Sequence, residues 1–171
     1  MEQDLFVKRQ SIRRFTPEAI PEETLAKLLQ AAVEAPSAGN CQPWHFYVVK
    51  NPECKAQLSE ASYGQVFIKD APVVIVVCSE PLRSSQRYEE RGESLYSIQD
   101  TAAAIENILL CAAANGLGSC WCGAFEEEAV SKILSLPDSR RPVAVVPIGF
   151  AAQQGKKRPR RPMEEVFTTV E

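Results

Sequence analysis

The chain has 171 residues, 45 % of them apolar and 24 % charged, with a formal net charge of −3. That length serves one domain with a real core rather than two, and the composition is that of a soluble globular protein. The acidic balance argues against a general nucleic-acid or membrane-surface role. No stretch approaches the roughly 18 apolar residues that span a bilayer.

Taken in order, Asp4 to Arg9 predicts a short helix. The run Lys8-Arg9-Gln10-Ser11-Ile12-Arg13-Arg14-Phe15 follows, with four cations in eight residues. A hydroxyl between arginines is phosphate chemistry, because Arg offers forked, charge-assisted donors and Ser a neutral one. A solvated charged face is the other reading of the same spacing. Leu25, Leu28, Leu29, Ala32 and Val33 recur at helical spacing, and Pro21 suits the first turn of that helix. Pro36 and Pro43 then bracket Ser37-Ala38-Gly39-Asn40-Cys41-Gln42. Small residues there allow close approach, and Asn40 and Gln42 each offer donors and an acceptor. Such a loop suits a planar heterocycle with polar edges; an ordinary structured turn is the alternative.

His45 to Val49 predicts a strand, Pro52 to Ala61 a polar helix, and the β-branched run Val73 to Cys78 a strand covered on both faces. Pro81 to Gly92 reads as a charged loop. Ser94 to Asn115 is the longest helix, closed by Gly116 at C′. Its stripe is Ile98, Ala102, Ile105, Leu109 and Ala112, widened by Ile108, Leu110 and Cys111, so it belongs at the centre or at a subunit interface. Glu126 to Leu136 predicts a helix and Val143 to Phe150 a strand. The tail Gly155 to Pro162 carries five cations in eight residues, by itself a basic nucleic-acid or localisation patch. Met163 to Glu171 is a short segment available to pack on a partner.

Six cysteines and one histidine leave little chemistry of their own. The N-terminus lacks a basic n-region and an apolar run, so no signal peptide is expected, and the thiols are expected to be reduced in the cytoplasm. Cys78 and Cys111 lie in apolar segments and are expected in the core. Cys120 and Cys122 form a C-x-C pair, which is not a zinc or C-x-x-C redox spacing, and no metal site is expected. His45 reads as a packing residue.

Four stretches together resemble the nitroreductase family of FMN-dependent oxidoreductases. They are the Arg9-to-Phe15 run, the loop Ala35 to Trp44, the segment Gly116-Leu117-Gly118-Ser119-Cys120-Trp121-Cys122-Gly123 and the basic tail. The resemblance implies an α+β fold with a central, mainly antiparallel sheet flanked by helices, formed as an intertwined homodimer. It implies one domain over 1–171, whose basic tail, 151–171, serves the FMN site or the dimer. It assigns FMN contacts to Arg9, Gln10, Ser11 and Arg13, to Pro36, Ser37, Ala38, Asn40 and Gln42, and to Gln65. It adds Trp121, Cys122 and Gly123 along the isoalloxazine, with the Cys122 N–H facing N5, and Arg158 and Arg160 on the phosphate. The implied activity is ping-pong two-electron transfer from NADH or NADPH through flavin N5 to a nitroaromatic, quinone or similar acceptor. No side chain acts as acid or base; Arg13 gives electrostatic support to the reduced ring. The alternatives are a non-catalytic flavin-binding or sensing protein and a nucleic-acid module built on the tail. The favoured reading has a small-molecule acceptor as partner, with no nucleic acid and no membrane.

Overall fold

In a computed structural model, residues 3–171 are described, with side chains from Leu5 onward. Four strands form one antiparallel sheet in the order β1-β2-β4-β3: β1 Trp44–Val49, β2 Val73–Ser79, β3 Gly118–Ser119 and β4 Arg141–Gly149. Every residue of β2 is buried. Its alternating side chains serve two cores, because successive strand residues face opposite ways. Val73, Ile75 and Val77 pack with Leu25, Leu28, Ile105 and Ile108. These come from α2 (Glu22–Val33) and α6 (Ser97–Ala114). Val74, Val76 and Cys78 pack on the other face with Leu58, Ile68, Cys120, Cys122 and Val130. That second layer is built by α3 (Pro52–Ala61), α4 (Phe67–Asp70) and α7 (Glu127–Ile133). A sheet with helices on both faces is therefore the frame, and α1 (Gln3–Lys8) packs against α6.

Local chemistry sets the element ends. Asn51 caps α3 by accepting the Cys54 N–H at 2.9 Å, with Pro52 in the first turn. Pro21 lies one residue outside α2, at its N-cap. Gly116 closes α6 at φ +74°, and the N–H groups of Gly116 and Leu117 return to the carbonyls of Ala113 and Ala112. That is the paired 5→2 and 6→1 bonding of a Schellman end, which only a left-handed C′ residue permits. The last helix is shorter than expected: α7 ends at Ile133, and Ser135 turns the chain at φ 50°.

Residues 81–92 depart from the sequence reading. They form α5 (Pro81–Arg91), followed by a π-helical turn, Gly92–Tyr96, that leads into α6. The inward face of α5 is Pro81, Ser84, Ser85 and Tyr88, at helical spacing but with small and polar side chains where an apolar stripe would mark the helix. Pro81 presets the first turn, and Tyr88 and Tyr96 meet edge-to-face at 5.2 Å. Gly92 lets α5 fold back, since a Cβ there would stand 2.3 Å from the Ser84 carbonyl oxygen. Cys78 is in the core as expected, and burial pushes its thiol up to about 12. Cys111 is only half-buried, on the edge of the α2–α6 contact. Among the described residues no helix is long and apolar enough to cross a membrane.

Candidate active site

The two cationic runs, far apart in sequence, meet in one cleft. After α1 the chain is pulled alongside β3: the Ile12 N–H donates to the Ser119 carbonyl at 2.9 Å, and Ser11 bridges Ser119. After β4, the Ala152 N–H donates to the Arg14 carbonyl at 3.0 Å and leads the tail back past α1. The result is a cleft of about 160 Å³ lined by Arg9, Gln10, Ser11, Lys156, Lys157, Arg158 and Arg160, with Phe6 and Val7 at its edge. A second cleft of about 360 Å³ adjoins it, lined by Ser11, Arg13, Gln153, Gln154, Lys156 and Arg158 among others. Arg9 shares its charge with Glu106 of α6 at 3.7 Å. Lys156 joins this cleft unforeseen, whereas Lys157 is the neighbouring register of the same basic tail that points to Arg158 and Arg160.

Arg13 projects toward the second helical layer, its guanidinium carbon 5.9 Å from the centre of the Phe67 ring. Gln65, two residues before Phe67, donates through Nε2 to the carbonyls of Ser62 at 3.0 Å and Ala124 at 3.1 Å. It therefore holds the loop after Gly123. In that loop Trp121 and Gly123 are exposed, and Cys122 is buried. The Cys122 N–H is not available to a ligand, because it donates to the Val145 carbonyl at 3.0 Å. The N–H groups of Gly123 and Ala124 have no acceptor among the described residues. The Trp121 N–H is likewise without one, so free donors flank the expected position on both sides.

Cys120 and Cys122 flank Trp121 and point into the core, 2 % and 4 % exposed. Both are drawn along β4, Cys120 through Pro147 and Cys122 through Val145. The Cys120 thiol is lowered to about 7, first by its hydrogen bond with Cys122 and then by Arg13, Ser11 and Arg9, against the opposing effect of burial. The same hydrogen bond, together with burial, raises Cys122. Of the two thiols, Cys120 is the one that Arg13 and Arg9 favour as the thiolate, and Cys122 is the one that keeps its proton. A thiol whose folded pKa lies below its ordinary value of 9.0 adds stability as pH rises from about 7 to 9 and loses it as pH falls through 7. Above 9 the retained proton on Cys122 reverses the trend. Cys120→Ser should accordingly show a deficit in denaturation midpoint at pH 9 that narrows below pH 7; a pH-independent deficit would make the pair ordinary packing residues.

The loop Pro36 to Gln42 lies elsewhere. Its left-handed residues are Gly39 (φ 55°), Asn40 (φ 57°) and Gln42 (φ 50°). The Ala38 N–H donates to both Asp100 carboxylate oxygens, at 3.1 and 3.2 Å. Arg87 donates to the Gly39 carbonyl at 3.1 Å and Arg83 to the Cys41 carbonyl at 3.2 Å. Spaced by four on α5, these arginines share one face. The close approach that Gly39 permits is that of α5, for a Cβ there would stand 2.5 Å from the Tyr88 hydroxyl. Ser37 Oγ accepts the Gln42 N–H at 3.0 Å, and Gln42 Nε2 donates to Asn40 Oδ1 at 3.2 Å. Asp100, whose carboxyl is pushed up by burial, is not marked out by sequence: Glu106, six residues on, does not share its helix face, so the two read as no paired-carboxylate site. Asp100 sits at the start of α6, and the Gly116–Ser119 turn follows its end. Fourteen residues at 1.5 Å rise separate them by about 21 Å, so one chain does not bring this loop to the cationic clefts.

Comparison with known proteins agrees with this geometry. The family model described as "Nitroreductase family" matches residues 6–70 and 63–150. A relative from Archaeoglobus fulgidus, named for NADH dehydrogenase and NAD(P)H nitroreductase, is 40 % identical over 147 residues, covering 83 % of this chain and 80 % of its own. The Bacillus subtilis protein named "FMN reductase (NADPH)" is 28 % identical over 177 residues, covering 96 % and 71 %. The solved structure of NfrA2 from B. megaterium superposes with a TM-score of 0.91 at 26 % identity, covering 99 % of this chain and 74 % of that one. With its helix-flanked antiparallel sheet and its match across both halves of the chain, the protein belongs to the nitroreductase family and is an NAD(P)H-dependent oxidoreductase.

Proposed function

We propose that the chain binds FMN and passes two electrons from a nicotinamide nucleotide to a nitroaromatic, quinone or similar small acceptor. The observation that carries this reading is the meeting of Arg9, Ser11, Arg158 and Arg160 in one cleft, beside the second cleft that Arg13 lines. These residues suit a phosphate monoester at one end and an anionic ring edge at the other. FMN, when bound, supplies the two-electron chemistry at N5.

The chain's own residues then have distinct tasks. Ser11, Arg9, Gln10, Arg158 and Arg160 hold the phosphate. Arg13, steadied over Phe67, faces the pyrimidine edge, where reduction adds negative charge. The unpaired N–H of Gly123 or Ala124 takes the place at N5 first assigned to Cys122, and Gln65 fixes that loop through the Ala124 carbonyl. Trp121 offers an exposed apolar surface beside it.

The loop of Pro36, Ser37, Ala38, Asn40 and Gln42 completes the site from a second copy of the chain, since within one chain it stands at the other end of α6. A homodimer also gives a partner to exposed Met163, Val166, Phe167 and Val170 of the tail. In this reading 1–171 is one domain, and the segment 151–171 serves both the phosphate and the dimer. An absorption spectrum of the purified protein, followed by anaerobic NADH and then NADPH, tests the proposal. A flavin spectrum that bleaches is expected. A flavin spectrum that persists with both donors would favour a non-catalytic flavin-binding protein, and a colourless protein that takes up no FMN would overturn the cofactor.

A further inference from the structure

The Pro36–Gln42 loop is held in a shape it would not keep alone. Gly39, Asn40 and Gln42 have positive φ, at 55°, 57° and 50°. Glycine and asparagine tolerate that region, whereas glutamine favours ordinary backbone. Bonds inside the loop account for part of the shape. The Asn40 N–H donates to the Ser37 carbonyl at 2.9 Å and the Cys41 N–H to the Ala38 carbonyl at 3.1 Å. The rest of the hold comes from one continuous segment, 80–100, that grips the loop from outside.

Four backbone groups of the loop and its exit are taken by that segment. The Ala38 N–H goes to Asp100, the Gly39 carbonyl to Arg87 and the Cys41 carbonyl to Arg83, and the Pro43 carbonyl accepts the Glu80 N–H at 2.9 Å. Asp100 is 7 % exposed, and its one hydrogen-bond donor among the described residues is that Ala38 N–H. A carboxylate accepts several such bonds, and burying it for a single backbone donor is costly. Its place in the first turn of α6 offsets part of that cost; the loop N–H is its remaining use. Arg83 and Arg87 are exposed, and each spends a charged donor on an uncharged loop carbonyl. None of the three side chains lines the clefts of Arg9 and Arg13. What this clamp leaves facing outward are Asn40 and Gln42, both exposed, with their side-chain amides joined at 3.2 Å.

Resting on the reading that this loop completes the flavin site of a second copy, we propose that Asp100, Arg83 and Arg87 are positioning residues for the FMN held by that other copy. They keep the loop backbone in its left-handed turn before the ligand arrives. Asn40 and Gln42 then present their amides across the interface without further ordering. Free energy that would otherwise be lost in ordering the loop is retained as affinity.

Titration with FMN, read by fluorescence quenching, is the first measurement. Arg83→Ala/Arg87→Ala should weaken FMN binding by about tenfold or more, through lost preorganisation. Its denaturation midpoint should stay near that of the parent, because both side chains are exposed. Asp100→Asn keeps an acceptor oxygen for the Ala38 N–H and loses the charge, so its affinity should fall between the parent and the arginine double variant. Parental affinity in both variants overturns the proposal.

The second measurement separates positioning from general damage. Chains with Arg83→Ala/Arg87→Ala and chains with Arg158→Ala/Arg160→Ala are co-expressed under different tags, and the species bearing both tags is isolated. Each variant alone should bind FMN weakly. In the mixed dimer one site combines the intact clefts of the first chain with the intact loop of the second, so one tight FMN per two chains is expected. No tight site overturns the proposal, because a loop that serves its own chain leaves both sites defective. An absorption spectrum keeps the two readings apart. A parent that takes up no FMN fails the flavin reading itself, whereas a parent that binds FMN, with clamp variants of equal affinity, fails the positioning alone.

Discussion

Arg13→Ala is expected to slow reduction of bound FMN by nicotinamide about 100-fold, in the range seen when one preorganised donor to a developing anion is removed. Ser11→Ala should slow it far less, since a neutral hydroxyl beside the phosphate does not meet the charge that develops on the ring. Arg13 is held for this task by its place over Phe67, at 5.9 Å, on a backbone tied to β3 through Ile12. Arg13→Lys keeps the charge and loses the planar fork, so an intermediate rate separates charge from geometry. Stopped-flow bleaching of the flavin absorbance measures all three. Equal reduction rates for Arg13→Ala and the parent would remove Arg13 from the role.

Gly118→Ala should damage stability and flavin binding together. Gly118 pairs with Gly149 in the sheet, and a Cβ on it would stand 2.7 Å from Ile12 Cγ1 and 2.8 Å from Ile12 Cβ. Ile12 is buried and β-branched, so its χ1 offers no easy escape. Overpacking of this kind costs about 1–3 kcal/mol. The displaced strand edge carries Ser11 and Arg13 with it, and FMN affinity should fall at least tenfold. Chemical denaturation and fluorescence titration with FMN check the two effects. A destabilised variant with unchanged FMN affinity would show that contact with β3 does not set the position of the cationic run.

The elements that patterning found are those whose side chains have one environment. β2 is apolar at nearly every position because both its faces are covered, and the end of α6 was legible because Gly116 is the residue a left-handed C′ position favours. Patterning failed at α5, where the helix buries little apolar surface and spends its side chains on the carbonyls of the Gly39–Cys41 turn. Nor does the motif say which of its N–H groups is free: it names a segment, and only the tertiary pairing shows that the Cys122 N–H is already taken by Val145.

The sequence by itself determined the family and named the four stretches expected to carry flavin contacts, because residue type at fixed local spacing carries donors, charge and backbone freedom. The tertiary structure alone decided which segments meet. Residues 8–16 and 155–162 converge because the first is fastened to β3 through Ser119 and the chain leaving β4 is fastened to the first, through Phe15 with Ala151 and Arg14 with Ala152. The Pro36–Gln42 loop is held away from them by the length of a rigid helix, which local spacing does not encode. The coupling of Cys120 to Cys122 beneath Arg13 likewise arises only once β4 aligns both thiols in one low-dielectric layer.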